Sequence, residues 1–574
     1  MLQIILFLAV FCIAIVPTGR YMFKIATGKK TIGDRAFSAV ENSFYHICRI
    51  DPDKDMGWKE YTISLVLVNA MMVLLTFLVL LIQGFLPFNP NGIGGMSGDL
   101  SYNTVISFMT NTNLQHYAGE SGLSYLSQMI VITFMMFTSA ASGYAACVAF
   151  IRGITGQGNH RMGNFYKDLV QITLRVLMPI SIVVALLLVL SGTPQTLSAN
   201  VHLDTIEGTE QIIAMGPVAS LESIKHVGTN GGGFLGANSS TPIENPTVFT
   251  NMLEMLSMML LPGSCVVMFG LMYEESRKER GLKSRKHRFL GSEGKTVFIA
   301  MAIIFAIGLI VCVWAEHSGN PMFAELGLTD ISNMEGKEMR NGIDQSATFA
   351  TVTTSFTTGS VDSMHDSMTP LGGMIPMLHM MLNLVFGGKG VGLMNMIMYV
   401  ILTVFICGLM VGRTPEYLGR KIEGKEMKLT ALAIIVHPFL ILAFSALATA
   451  TQAGLAGITN PGFHGLSQIV YEYSSSAANN GSGFEGLADG SAFWNITTGL
   501  VMFFGRYLPI VLQMAVAGSL MKKKFVNESA GTLRTDTMTF TFALGFIVYV
   551  FAALTFFPVI ALGPVAEHLS LISL

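Results

Sequence analysis

The sequence predicts an all-α integral membrane protein. Ten transmembrane helices are expected, eight of them forming four pseudo-symmetric repeats with re-entrant segments, and the other two flanking those repeats. Three observations carry this reading. Of 574 residues, 51% are hydrophobic and only 12% charged, about half the charged share of a soluble domain. Ten apolar stretches are long enough to cross a bilayer core of about 30 Å, which takes about 20 residues. Between them recur four clusters rich in Thr, Asn and Gly: "SFMTNTNLQHYAGE" from 107, "GTNGGGF" from 228, "FTTGSV" from 356 and "ANNGSGF" from 478.

The spans are read near 2–24, 62–85, 126–150, 168–191, 251–273, 295–315, 375–412, 428–451, 497–521 and 538–562. The first lacks a basic region ahead of its apolar core, so it reads as a span rather than a cleaved signal. The seventh is too long for one crossing at 1.5 Å per residue and is broken by "FGGKGVG" at 386–392. Basic residues orient the set. With the N-terminus outside, the segments 20–59, 151–167, 274–295, 413–428 and 522–534 lie inside and hold all but six of the 34 Lys and Arg. Lys225, Lys337 and Arg340 fall outside, and Arg175, Lys389 and Arg506 fall within spans. This is the positive-inside pattern, and it predicts both termini to be extracytoplasmic.

Every cluster then falls in an outer connection just ahead of a span. Taking Thr112, Gly231, Gly359 and Gly481 as equivalent gives separations of 119, 128 and 122 residues. The chain therefore divides into 1–61, a flanking helix and inner loop; repeats at 62–167, 168–294, 295–427 and 428–524; and a second flanking helix at 525–574. Ahead of each cluster stands a semi-polar segment, "NTVISFM", "ASLESIKHV", "SATFATVTTS" or "GLSQIVYEYSSS", long enough for two or three helical turns but too short to cross. Irregular backbone at membrane depth is tolerated only where protein or a water-filled cavity surrounds it. Four helices ending at mid-depth would aim the negative ends of their dipoles at one axis and favour a cation there. Gly allows successive carbonyls to turn toward that axis, Thr and Ser add hydroxyls, and Asn can brace the loops. One such cluster is an ordinary Gly-rich turn; four at a common repeat position are not. Apart from Glu120 at the end of the first, the clusters lack Asp and Glu, which disfavours Ca²⁺ or Mg²⁺, whereas rings of backbone carbonyls suit K⁺.

The strings "TNTNLQHYAGE", "GTNGGGFLGANSSTPIENPT", "VDSMHDSMTPLGG", "GLMVGRTPEYLGRKIEGKEMK" and "NNGSGFEGL" resemble the potassium-binding subunit family, KdpA, of bacterial potassium-importing P-type ATPases, over nearly the whole chain. The resemblance implies the channel-like M1-P-M2 fold of the superfamily of K⁺ transporters. It implies filter residues Asn111, Thr112 and Asn113; Thr229, Asn230 and Gly231; Thr358, Gly359 and Ser360; and Asn479, Asn480 and Gly481. The family pattern commonly has Cys where Thr358 stands, and either residue offers its carbonyl. Gln115 is placed at the filter mouth, its alternative being a surface amide. Lys389 and Arg506 are expected on the inner side of the pore, as gate or pathway residues, because intramembrane charge is expensive. Arg175, nearer a membrane face, is expected to snorkel.

Other motifs have plainer readings. The six cysteines form no CxxC, and five lie in apolar runs, which favours small buried residues over a disulfide framework or metal site. His365 and Asp366 lack a nucleophile or third partner and are expected to brace the third loop. "GSEGKT" at 291–296 has its glycines too close for a phosphate loop, and the chain contains no DKTGT-type sequence. ATP and Mg²⁺ are therefore expected only on a P-type ATPase partner, accompanied by small membrane subunits and lipid. A net charge of -2 disfavours a nucleic-acid partner. The expected function is selection of K⁺ for an ATP-driven uptake complex in the bacterial inner membrane. The rival is a stand-alone K⁺ channel or ion-gradient-driven symporter, and an intramembrane enzyme using His365 and Asp366 is a third, weaker possibility.

Overall fold

Residues 2–156, 162–282, 289–526 and 532–573 are described by a computed structural model; Arg161, Lys283, Arg285, Lys286 and Arg288, counted among the inner basic residues, lie outside them. Within the described residues, ten helices are long and apolar enough to cross a membrane: Gln3–Ala26, Trp58–Phe85, Tyr125–Thr155, Phe165–Ser191, Val248–Glu279, Ser292–Glu325, Gly388–Met410, Gly424–Thr449, Ala492–Met521 and Met538–Ile572. They are spans one to ten below. Span two illustrates how such a helix is apolar all round yet still has an inside: Leu67, Leu74 and Leu78 point outward, while Ser64, Asn69 and Thr76 are buried. In lipid the polar and small side chains, not the leucines, choose the packed face. Spans three and five are the most enclosed; spans one, two and ten form part of the skirt.

Four short helices enter the bundle between spans: Gly98–Met109, Val218–Val227, Gly342–Ser355 and Phe463–Ala478. Each is almost wholly buried. The seventh span is interrupted as the glycine run predicts. Pro370–Leu382 stops at Asn383, which is left-handed (φ 46°), and Val391–Val411 resumes after residues 383–390. The helix Pro370–Leu382 starts on a Thr369 cap whose side chain accepts from Gly372 N.

Span two and the first short helix both meet span nine directly. Asn103 on the first short helix donates to Thr498 Oγ1 (2.8 Å) and to the Asn495 carbonyl (2.9 Å) on span nine. Asn69 on span two donates to the Tyr507 hydroxyl at 3.0 Å. Span one lies along span five, where Gly19 allows close approach to Ser264 and Val267. At the basic end, Arg152 binds both oxygens of Asp168 (2.6 and 3.0 Å) and the Ala26 carbonyl. Phe525 there is held between the guanidinium groups of Arg280 and Arg420, 4.0 and 4.5 Å from its centroid.

The structure corrects two expectations. Arg175 does not snorkel to water: it is buried and bound to Glu41 and Asp34 of an amphipathic helix, Asp34–Ile47, that the span count passed over. The cysteines are all free, but only Cys147, Cys265 and Cys312 are buried; Cys12 faces outward from span one.

Candidate functional site

The four short helices end alike. In each, an amide two or three residues past the helix returns to a carbonyl five residues back: Thr112 N to Ser107 O (2.9 Å), Asn230 N to Lys225 O (2.8 Å), Thr358 N to Thr353 O (2.8 Å) and Asn480 N to Ser475 O (3.0 Å). This is the Schellman closure, in which the preceding residue is left-handed. That residue is Asn111 (φ 62°), Thr229 (51°), Thr357 (50°) or Asn479 (55°). A β-branched residue at positive φ is a genuine outlier, and such strain costs of order 1–3 kcal/mol where surrounding structure enforces it. The common hydrogen bond also fixes the true register. Thr112 corresponds to Asn230, Thr358 and Asn480, whereas Gly231, Gly359 and Gly481 correspond to Asn113. The sequence alignment of the clusters was one residue out in the first repeat, and the triplet at 358–360 starts one residue late. Thr357, missed from the sequence, is the counterpart of Asn111.

Beyond those closures the four loops converge. A Cβ on Gly231 would stand 2.6 Å from the Thr112 carbonyl oxygen and 2.8 Å from that of Asn480; one on Gly481 would strike Thr112 O, and one on Gly359 would strike Asn480 O. Only glycine fits where backbones approach so closely. Amide side chains stitch the loops into a circle. Asn111 donates to the Thr229 carbonyl (2.7 Å), Asn238 to Gly359 O (2.9 Å), Asn480 to Thr353 O (2.9 Å), and Asn479 to Thr112 Oγ1 (3.0 Å). These bonds link repeat one to two, two to three, three to four and four to one. Ser360 is held from behind by His226: its hydroxyl donates to Nε2 at 2.9 Å, because Nδ1 of the same ring donates to the Glu222 carbonyl at 2.7 Å.

On one side of this ring opens a cavity of about 430 Å³, lined by Gln115, His116, Glu120, Glu485 and Asp489 among others. Gln115 sits at its edge and pairs with Gly233 twice, accepting from its N–H (2.8 Å) and donating to its carbonyl (3.2 Å). Burial lowers the pKa of His116, but the facing Asp489 and Glu472 carboxylates outweigh it and hold the imidazole at about 9.

On the other side lies the break in span seven. Lys389, left-handed at φ 49°, directs its ammonium at the ring and donates to Asn111 O (2.8 Å) and Asn479 O (2.6 Å). Its backbone N–H donates to Thr229 Oγ1 at 3.0 Å. Arg506 is buried beside it, its guanidinium and the Lys389 side-chain stem meeting at Gly143 of span three, and Arg506 Nη1 has no hydrogen-bond partner among the described residues. Phe386 of the break stacks on Phe356, the residue capping the third short helix (4.9 Å, 2°), and Phe11 of span one closes on both edge-on.

His365 and Asp366 are not an active pair. His365 Nδ1 meets the Tyr471 hydroxyl (2.7 Å), and Asp366 is taken by His464 (3.0 Å) and Gln468 (3.1 Å), so both tie the third loop to the fourth short helix.

Ten spans around four short buried helices, whose ends turn backbone carbonyls toward one another, define a multi-pass membrane protein. Residues 5–569 match the family described as "Potassium-transporting ATPase A subunit", KdpA, and the chain belongs to that family. It is 52% identical to the "Potassium-transporting ATPase potassium-binding subunit" of Clostridium acetobutylicum over 99% of this chain and 100% of that one. It is 51% identical to the subunit of the same name from Staphylococcus haemolyticus, again over 99% and 100%. The solved potassium transporter TrkH from Vibrio parahaemolyticus aligns over 77% of this chain and 83% of its own, at TM-score 0.48 and 14% identity.

Proposed function

We propose that this chain is the potassium-binding subunit of an ATP-driven K⁺ uptake complex. The four loops are its selectivity filter, made by the residues named from the sequence together with Thr357. One observation carries the reading: the four filter loops are closed into a ring by amides from the first, second and fourth repeats and capped on the far side by the Lys389 ammonium. Four carbonyl-lined loops offer a dehydrated K⁺ the oxygens it gives up. The ammonium occupies the carbonyls that a departing ion would use next. Freeing it costs two charge-assisted hydrogen bonds, about 1.5–3 kcal/mol each, so a passive channel is the poorer reading and coupling to an energy source the better one.

In this reading the repeats run as divided above, both termini are extracytoplasmic, and the complex sits in the bacterial inner membrane. The cavity faces outside, and the break with Lys389 and Arg506 is the inward gate. A P-type catalytic subunit binds ATP and Mg²⁺, with small membrane subunits and lipid around the pair. The test is to purify the chain from its native membrane with whatever accompanies it, then to measure ATP hydrolysis against K⁺ concentration. K⁺-stimulated hydrolysis by the co-purified assembly is expected. A chain that elutes alone and carries K⁺ flux without ATP overturns the proposal in favour of the channel or symporter.

A further inference from the structure

At the wall of the cavity, His116 faces the carboxylates of Glu472 and Asp489. Asn495 donates from Nδ2 to Asp99 Oδ2 at 2.8 Å, which leaves its Oδ1 facing His116 Nδ1 at 2.7 Å. A carboxamide oxygen only accepts, so one ring hydrogen stays on Nδ1, and Nε2 is the nitrogen that a cation reaches by displacing the other proton. That nitrogen lies 3.4 Å from Glu472 Oε1 and 3.7 Å from Asp489 Oδ2. The three ligand atoms all lie within 4.8 Å of one another. The side chains of His116 and Glu472 are 0% and 1% exposed, and that of Asp489, at 28%, opens the site to the cavity. Among the described residues, no other hydrogen-bond donor reaches the Glu472 carboxylate.

The spacing is informative. At 3.4 and 3.7 Å the contacts are long for hydrogen bonds from a shared proton. They suit the edges of a tetrahedron around a metal, where bonds of about 2.0–2.2 Å put neighbouring ligands roughly 3.3–3.6 Å apart. The surroundings also match those of a metal-bound histidine, whose second nitrogen donates to a polar group that is itself held in place; here Asp99 holds Asn495 and Asn495 holds His116. Among the described residues, the other such cluster, Glu222, His226 and Glu254, lacks this character. Lys225 already binds Glu222 at 3.0 Å, and the Ser360 hydroxyl donates to the open nitrogen of His226.

We propose that His116 Nε2, Glu472 Oε1 and Asp489 Oδ2 form a binding site for a divalent transition cation of the Zn²⁺ class, entered from the cavity and completed by water. One imidazole and two carboxylates select such a cation over K⁺. The bound ion bridges the first loop, which carries His116, to the fourth short helix and the loop beyond it.

The test uses the purified complex after treatment with a chelator, titrated with Co²⁺ alone as a coloured probe and then with Zn²⁺. One equivalent of Co²⁺ per chain is expected, with visible ligand-field absorption that Zn²⁺ abolishes. His116→Gln and Asp489→Asn should each weaken binding at least tenfold. Asp489→Asn is nearly isosteric in a partly exposed loop, which separates loss of a ligand from loss of the fold. Saturable binding that is unchanged in either variant, or no saturable binding by the wild-type complex, overturns the site. The readout is metal binding rather than transport, so it stands or falls separately from the proposed function.

Discussion

The two faces of the loop ring differ in charge. Glu120, Glu485 and Asp489 line the cavity on one face, with His116 beside Glu472 and Asp489. On the other face stand Lys389 and Arg506, both buried; among the described residues, one is bound through its ammonium and backbone N–H to neutral oxygens, and the other has a nitrogen without a partner. The first face attracts monovalent cations from solution, and the second repels them at short range in a poorly screened interior. The difference fits the proposed reading, in which the ring holds an ion rather than passing it and release comes from moving the break.

Substitution at the ring itself should have the largest effect. Gly231→Asp adds a Cβ where none fits and a fixed anion among neutral dipoles, and a strong anionic oxygen offsets the larger dehydration cost of smaller ions. Apparent K⁺ affinity is expected to fall by at least tenfold, about 1.4 kcal/mol, with selectivity relaxed toward Na⁺. Gly94→Asp, where a Cβ meets nothing within 4 Å, is the control. Ion-stimulated ATP hydrolysis over K⁺, Rb⁺ and Na⁺ decides it, and matched behaviour of the two variants would remove Gly231 from the filter.

Next comes the cationic face. Lys389→Gln replaces two charge-assisted bonds by neutral ones, so K⁺ leak through proteoliposomes without ATP should rise about tenfold or more. Deleting 387–391 should go further and uncouple transport from hydrolysis. An unchanged ratio of K⁺ moved to ATP consumed in both variants would show that the ammonium does not gate.

A smaller effect is expected at the acidic face. Glu120→Gln should slow uptake at subsaturating K⁺ by roughly twofold at low ionic strength, and the difference should vanish at high salt. If the deficit persists in salt, Glu120 acts through its hydrogen bond to Gly236 N and not through its field.

The smallest concerns the rim. His464 bridges Asp366 and Glu567 at 3.0 and 2.9 Å. Burial opposes its charge, but the two carboxylates raise its pKa to about 9. Because the folded value is the higher one, this clamp is fully present below pH 6.5 and is lost as pH rises through about 9. Hydrogen exchange at 566–572, corrected for the intrinsic pH dependence, should therefore quicken over that window in the wild type but not in His464→Gln.

The fold was legible where chemistry repeats along the chain. Apolar length gave the spans, basic residues grouped their ends, and "FGGKGVG" marked the break because seven residues with four glycines cannot continue a buried helix. Recurring clusters located the loops, but not their register. A one-residue shift changes no composition, and Thr357 was hidden because the Schellman bond that defines its place joins backbone atoms. Arg175 was misjudged because Glu41 and Asp34 lie more than a hundred residues away in sequence. The same distance conceals His116, Glu472 and Asp489, which no local spacing brings together.

The seam between Asn103 and Thr498, 395 residues apart, bears on how the protein is made. A chain emerging from the ribosome inserts the first repeat long before the fourth exists, leaving Asn103 and Asn69 at membrane depth without their final partners. Contacts of such separation form late and slowly, and unsatisfied amides in hydrocarbon are costly. Three inserted repeats make an open arc with a polar inner edge that must be sheltered by the insertion machinery or by neighbouring chains. In the proposed reading, ion discrimination is thus a property the nascent chain acquires in one step, when span nine docks against the first short helix and the arc becomes a circle.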